Sequence, residues 1–236
     1  MGRAFFRYGD SMRFTRRGST KSRLPKGAGS LEFRHHEELI REGKVTAKYA
    51  RILPFVPGET VFEMGAAEGV LSLLLSEKKK RVWAVERSME RHQRAKELKD
   101  HWLARGFHVD SCEMVHGDIR DHSDLLDASE TFLSVRALYY LGPNIEDVLS
   151  EAWSNVENVV LVGNRFRSEK YFSTRAKSHI AGEAEGPDNY YASLDGMWTL
   201  VSRFGFSVRF AIPDGDPILV ASRNSQGGEM FSTQVS

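Results

Sequence analysis

An apolar run that ends in an acid and breaks into a glycine-rich turn, Val61-Phe62-Glu63-Met64-Gly65-Ala66-Ala67-Glu68-Gly69, constrains this chain more than any other stretch. The apolar residues that follow, Val70, Leu71, Leu73, Leu74 and Leu75, have helical spacing. Together they read as a strand, a tight turn and a helix, the unit at which open α/β sheets bind nucleotides. Glycines let a ligand come close to the backbone, and the first N–H groups of the helix have no partner within it. A second apolar run, Val82-Trp83-Ala84-Val85, ends in Glu86, 23 residues after Glu63. An offset of about 20 residues is where a carboxylate reaches the ribose hydroxyls of an adenine cofactor. A dinucleotide fingerprint starting at Gly65 would need glycines at positions 67 and 70, which hold Ala67 and Val70, and Glu68 would face the pyrophosphate.

The alternation of helix and strand continues along the chain. Residues 31–53 carry Leu31, Leu39, Ile40, Val45, Tyr49, Ile52 and Leu53 at loosely helical spacing, halted by Pro54. Strands are predicted near 59–64, 82–86, 112–116 and 131–135, with a fifth at Val159–Gly163 that is apolar throughout, as a parallel strand buried on both faces should be. Ser88 reads as the N-cap of a helix to about 104, with Met89, Ala95, Leu98 and Trp102 inward and Gly106 as its stop. Ile145, Val148, Leu149, Ala152 and Trp153 form one apolar stripe of a helix over 144–155. Met197, Leu200, Val201 and Phe204 mark a last helix ending at Gly205. Ser207–Ile212 and Ile218–Ser222 then flank Pro213-Asp214-Gly215-Asp216-Pro217 as a hairpin.

Length and charge bound the function. A chain of 236 residues with 41% hydrophobic content suits one α/β domain plus an arm. No apolar run reaches the roughly 18 residues of a membrane span, and there is no secretory leader core. Cys112 is the single cysteine, so no disulfide forms within the chain; a reducing cytoplasmic location and a packing role for Cys112 are expected. Residues 1–30 form a basic, flexible arm, with eight Lys and Arg against Asp10 alone. The rest of the chain has 25 basic and 31 acidic residues, a net of −6, so the near-neutral total conceals a basic arm on an acidic body. A nucleic-acid contact stays open through the arm; a solvated tail, or a flap over the site, is the plainer expectation. Residues 31–223 form the domain and 224–236 a polar tail.

The sequence Glu63, Met64, Gly65-Ala66-Ala67-Glu68-Gly69 resembles the first motif of the class I S-adenosylmethionine-dependent methyltransferases: an acid, one apolar residue, then Gly-x-Gly-x-Gly, with Ala67 in place of the middle glycine. His116-Gly117-Asp118-Ile119 is similar to that family's Gly-Asp at the third strand, and residues 131–142 to its fourth strand and the motif after it. The ordered set covers residues 45 to 222. The resemblance implies a Rossmann-like, doubly wound, mostly parallel seven-stranded sheet with a C-terminal antiparallel hairpin. It also implies S-adenosyl-L-methionine as cofactor. Gly65, Ala67 and Gly69 would wrap its methionine part, and Glu63 would neutralise its amino group. Glu86 would accept from both ribose hydroxyls, Asp118 from the adenine amine, and the Ile119 N–H would meet a ring nitrogen. A sulfonium without phosphates tolerates such acids.

Methyl transfer is mostly alignment, and a base is needed only for a weakly acidic acceptor. His35, His36, His116, His122 and His179, with Tyr139, Tyr140, Tyr190 and Tyr191, are candidates for that base, and no spacing singles one out; Arg136, Tyr139, Tyr140 and His179 are the catalytic candidates overall. The segment 164–192 reads as an insertion covering the acceptor, with Arg165 and Arg167 available to an anionic group; the resemblance implies that the loop carrying Arg136 and Tyr139 borders the transferring methyl. The His116, Asp118, Asp121, His122 and Asp124 cluster lacks a recognised ligand spacing, so no metal is expected. Three functions remain: transfer to an O or N atom of a small-molecule or saccharide-like acceptor, an RNA or DNA methyltransferase gripping through the arm, and a non-catalytic binding module. The intact Glu63, Glu86 and Asp118 favour the first over the last, and the acidic body favours it over the second. The chain also lacks an Asn/Asp-Pro-Pro-Tyr-type motif for exocyclic amines.

Overall fold

The computed structural model describes residues 47–169 and 187–223. The expected arm at 1–30, the greater part of the helix expected over 31–53, the centre of the 164–192 segment with His179, and the tail at 224–236 lie outside the described residues. Alternating side chains of each central strand feed two separate cores, which is what drives the layering. Phe62, Trp83, Val85, Phe132, Val159, Leu161, Leu219 and Ala221 pack on one face of the sheet. Val61, Val82, Ala84, Leu133, Val135, Val160, Val162, Ile218 and Val220 pack on the other. Five parallel strands provide the frame: β1 (Thr60–Met64), β2 (Arg81–Glu86), β3 (Cys112–His116), β4 (Thr131–Val135) and β5 (Asn158–Val162). With β6 (Phe206–Ile212) and β7 (Ile218–Arg223) they make one seven-stranded sheet in the order β3-β2-β1-β4-β5-β7-β6. β7 runs antiparallel to both neighbours, as the hairpin reading requires.

Helices α1 (Ala47–Ile52), α2 (Val70–Glu77) and α3 (Met89–Ala104) cover the second face, where Ile52, Leu73, Leu75, Leu98 and Trp102 are fully buried. On the first face lie α4 (Ser123–Asp127), α5 (Ile145–Ala152) and α6 (Leu194–Arg203). Trp153, just beyond α5, packs edge-on against Phe132, Phe204 and Phe206 with ring centroids 5.4–5.6 Å apart. The Ser88 cap forms as read, its hydroxyl accepting from the Arg91 N–H at 3.4 Å. One helix position differs from expectation. Met89 is 60% exposed while His92 takes the inward place on the same stripe. Both lie in the first turn of α3, and it is the His92 ring that faces the sheet, 5.5 Å from the ring of His116 on β3.

The order reverses between β1 and β4, because the chain runs outward to β3 from β1 and then returns to β4 on the other side. Loops leaving the C-terminal ends of these two strands diverge and leave a crevice, which is where open α/β sheets bind ligands.

Candidate functional site

The crevice is real. An open cleft of about 680 Å³ lies over the strand ends, walled by Gly65, Ala67, Glu68, Glu86, Asp118 and Ile119 on one side and by Arg136, Tyr139, Tyr140 and Asn164 on the other. Its floor depends on Gly65. That residue has φ +70°, and a Cβ there would lie 2.4 Å from the Cβ of Ala137, so no side chain fits between the turn and the loop after β4. Gly69, also left-handed at φ +71°, caps α2. Ala67 replaces the expected middle glycine and still adopts φ +53°, a conformation that costs an L-residue about 1–2 kcal/mol.

Glu86 holds the turn in that shape. Its Oε2 accepts from the Ala67 N–H at 2.9 Å and its Oε1 from the Ser88 N–H at 2.8 Å, and the residue is 8% exposed. Each oxygen retains a second lone-pair direction for a hydroxyl group. Asp118 and Ile119 reach the same wall from the loop after β3. The Arg120 side chain binds Asp118 at 2.8 and 3.1 Å, and its backbone N–H at 3.2 Å, which holds the carboxyl below its ordinary range. An adenine amine would share this carboxylate with Arg120.

Glu63 sits differently from the other acids. It is buried below the turn, outside the cleft wall, and accepts a hydrogen bond from the Ser72 hydroxyl on α2. Burial pushes its carboxyl up to about 7. Of the acceptor-side candidates, Arg136 and the two tyrosines line the cleft. Arg136 has φ +56°, donates its backbone N–H to the Val162 carbonyl at 2.8 Å, and pairs through Nη2 with Asp216 from the β6–β7 turn. Asn164 donates to the Tyr139 hydroxyl at 3.2 Å, and burial raises that phenol above its usual value. Arg167 lies outside the cleft wall and stacks its guanidinium over the Tyr139 and Tyr140 rings, 4.6 and 5.1 Å from their centroids. Arg165 also stands apart, with its side chain on Glu169 at 2.6 Å. Tyr191 turns away to Glu146, and His116 bonds the Arg87 carbonyl. Among the described residues no three His, Cys, Asp or Glu side chains converge as metal ligands.

Four contributors escaped the sequence reading. Lys48 and Arg91 line the cleft from α1 and α3, Asn164 enters directly after β5, and Asp216 comes from the last hairpin. Only Asn164 carried a signal, being a polar residue at the C-terminal end of a wholly apolar strand.

No protein-family profile matches the sequence, and no curated relative does. Solved structures do match. Magnesium protoporphyrin IX methyltransferase from Synechocystis PCC 6803 with bound SAM aligns over 87% of this chain and 86% of its own, at 15% identity and a TM-score of 0.51. A TehB-like SAM-dependent methyltransferase from Corynebacterium glutamicum aligns over 84% and 99%, at 12% identity and 0.51. The methyltransferase domain of bacterial CtHen1-C aligns over 75% and 94%, at 16% identity and 0.52. The chain has the class I methyltransferase fold. Its place in that fold rests on architecture, since identities of 12–16% leave few positions in common. The cleft of this class I methyltransferase fold lies at the β1/β4 reversal, and β7 is the reversed strand of the same sheet. Among the described residues no helix is long and apolar enough to cross a membrane.

Proposed function

We propose that this protein is an S-adenosyl-L-methionine-dependent methyltransferase that transfers a methyl group directly to an oxygen or nitrogen of a small-molecule or saccharide-like acceptor. The observation that carries the reading is the Glu86 carboxylate. It stands at the end of β2, holds the left-handed Ala67 turn open through a backbone N–H, and faces the cleft beside Gly65. A diol is the group such a carboxylate takes in two hydrogen bonds. The residues fit the donor in other respects: Gly65 lets the turn and the loop after β4 close on each other where a Cβ would strike Ala137, and Glu86 and Asp118 offer carboxylate acceptors to the hydroxyls and the amine of a nucleoside.

The donor supplies a sulfonium methyl group, already electrophilic. What remains for the chain is to orient the acceptor and exclude water. Glu86 and Asp118 would fix the nucleoside end, and Gly65 and Ala67 the amino-acid end. Glu63 would then act at a distance, through its charge or a water, because it is buried beneath the turn. Tyr139, oriented by Asn164, and Tyr140 form the wall against which an acceptor ring would rest. Tyr139 and Tyr140 are placed to hydrogen-bond an acceptor and orient it, with the Tyr139 phenol kept in its neutral form by burial. Cys112 has no part in the chemistry. It is buried in the core with its thiol pushed up to about 12, which fits a packing residue and a reducing, cytoplasmic setting.

Calorimetric titration tests this reading. Micromolar binding of S-adenosylmethionine and S-adenosylhomocysteine, with none of NAD, is the expected result. Binding of NAD alone, or of none of the three, would overturn it.

A further inference from the structure

The cleft wall opposite Glu86 is built on two adjacent rings. Tyr139 and Tyr140 follow β4 and both line the cavity, with centroids 4.7 Å apart and planes tilted by 48°. Tyr139 is buried, whereas Tyr140 is 60% exposed. An exposed ring on the wall of a cleft is apolar area that a ligand can cover. Both hydroxyls are held by the segment that follows β5. Asn164 donates through Nδ2 to the Tyr139 hydroxyl at 3.2 Å, and its Oδ1 accepts from the Arg167 backbone N–H at 3.3 Å. Arg167 in turn donates from Nη2 to the Tyr140 hydroxyl at 3.3 Å. Each phenol oxygen thus accepts from the protein and still has its own proton to give.

The Arg167 guanidinium stacks over the same two rings from outside the cleft wall, 4.6 and 5.1 Å from their centroids. A cation on one face of a ring draws π density toward itself. The opposite face becomes a poorer seat for a second cation and a better one for an electron-rich ring. Among the described residues no carboxylate and no histidine lines the tyrosine wall, and Arg136 beside the rings is held by Asp216. The facing wall has no single sign, since Arg87 and Arg91 line it together with Glu68, Glu86 and Asp118. Selection by charge therefore falls to the tyrosines and Arg167.

We propose that Tyr139, Tyr140 and Arg167 form an acceptor subsite for a planar aromatic hydroxyl compound, with Tyr140 as the stacking platform and Arg167 as a positioning residue behind it. The inference rests on the methyltransferase reading and narrows its acceptor to a phenol-type oxygen. The acceptor ring lies on Tyr140, and the tyrosine O–H groups donate to its oxygen. Such an acceptor suits a wall without a base, because an aromatic hydroxyl is acidic enough to give its proton to water, which a sugar hydroxyl is not. The ionised oxygen then uses one lone pair to form the bond to the methyl carbon, while the carbon–sulfur bond breaks with its electrons to sulfur.

The test is calorimetry on the full chain, free and saturated with S-adenosylhomocysteine, with para-nitrophenol, benzylamine and methyl glucoside as probes. Binding of para-nitrophenol is expected to be about tenfold tighter than that of either other probe. Tyr140→Leu should weaken it about fivefold, and Tyr140→Phe, which keeps the ring, distinctly less. Arg167→Met should narrow the preference for para-nitrophenol over benzylamine about fivefold, and Arg167→Lys, which keeps the charge, should restore part of it. A purely structural Arg167 would weaken all probes alike and leave that ratio unchanged, which overturns its assignment. Equal binding of the probes, tighter binding of methyl glucoside, or para-nitrophenol binding untouched by Tyr140→Leu overturns the site. Binding of S-adenosylhomocysteine with none of para-nitrophenol also overturns the site and leaves the donor assignment standing. Binding of para-nitrophenol that depends on Tyr140, without any binding of S-adenosylhomocysteine, sinks the donor assignment and keeps the site. Absence of both sinks both.

Discussion

Glu86 shows how one side chain serves structure and binding together. Its carboxylate satisfies the Ala67 and Ser88 N–H groups while facing the cleft. Glu86→Ala is expected to weaken S-adenosylhomocysteine binding by about 1–3 kcal/mol, since charge-assisted hydrogen bonds carry roughly that much, with titration calorimetry as the readout. Glu86→Gln, which keeps one carbonyl acceptor, should lose less; unchanged affinity in both variants would remove the ribose assignment. Glu63 gives a pH prediction. Its folded value of about 7 lies above the ordinary glutamate value of 4.5, so the folded state binds the proton more tightly. Its contribution is therefore fully favourable below about pH 4.5 and is lost as pH rises through 7, a change on the order of 3 kcal/mol. Urea midpoints of the wild type and Glu63→Gln, compared at pH 5 and pH 8, check this. The variant should be the more stable of the two at pH 8, and a wild type with no such relative loss contradicts the assignment.

Elements with a strict period were legible from sequence, and the contacts between them were not. The stripe of Ile145, Leu149 and Ala152 predicted α5, and all three are buried in the core. Leu149→Ala is expected to cost about 2–5 kcal/mol in chemical denaturation, as deletion of a fully buried Leu side chain leaves a cavity. Strands β1 to β5 fell within a residue or so of expectation, because runs buried on both faces are almost wholly apolar. The glycine turn and Glu86 were readable for a related reason: close backbone approach and a fixed strand offset leave marks in sequence. Lys48 and Asp216 left none. Lys48 reaches the cleft, and Asp216 reaches Arg136 on its wall, by tertiary folding over separations that no local pattern encodes. Met89 was misplaced because periodicity reports which side of a helix a residue occupies and says nothing about which residue of the stripe meets the sheet.

At the scale of the molecule, the sheet is completed out of sequence order. β5 pairs on one side with β4 and on the other with β7, the last strand described, while β6 precedes β7 and lies outside it. Four consecutive residues of β5, Val159 to Val162, are almost wholly buried. Truncation after Gly205 is expected to expose that edge and produce oligomers visible by sedimentation, because an unpaired apolar strand edge recruits further strands; a monomeric truncated chain would contradict this. The same geometry governs how the protein is made. A ribosome delivers β1 to β5, with the glycine turn and Glu86, well before residues 213–223 leave the exit tunnel. For that interval the emerging chain presents an open hydrophobic seam and lacks the Asp216 tether on Arg136. The β6–β7 hairpin thus acts as a zipper drawn shut after the other five strands are made, and codon changes that slow translation between β5 and β7 should lower soluble yield without altering a single amino acid.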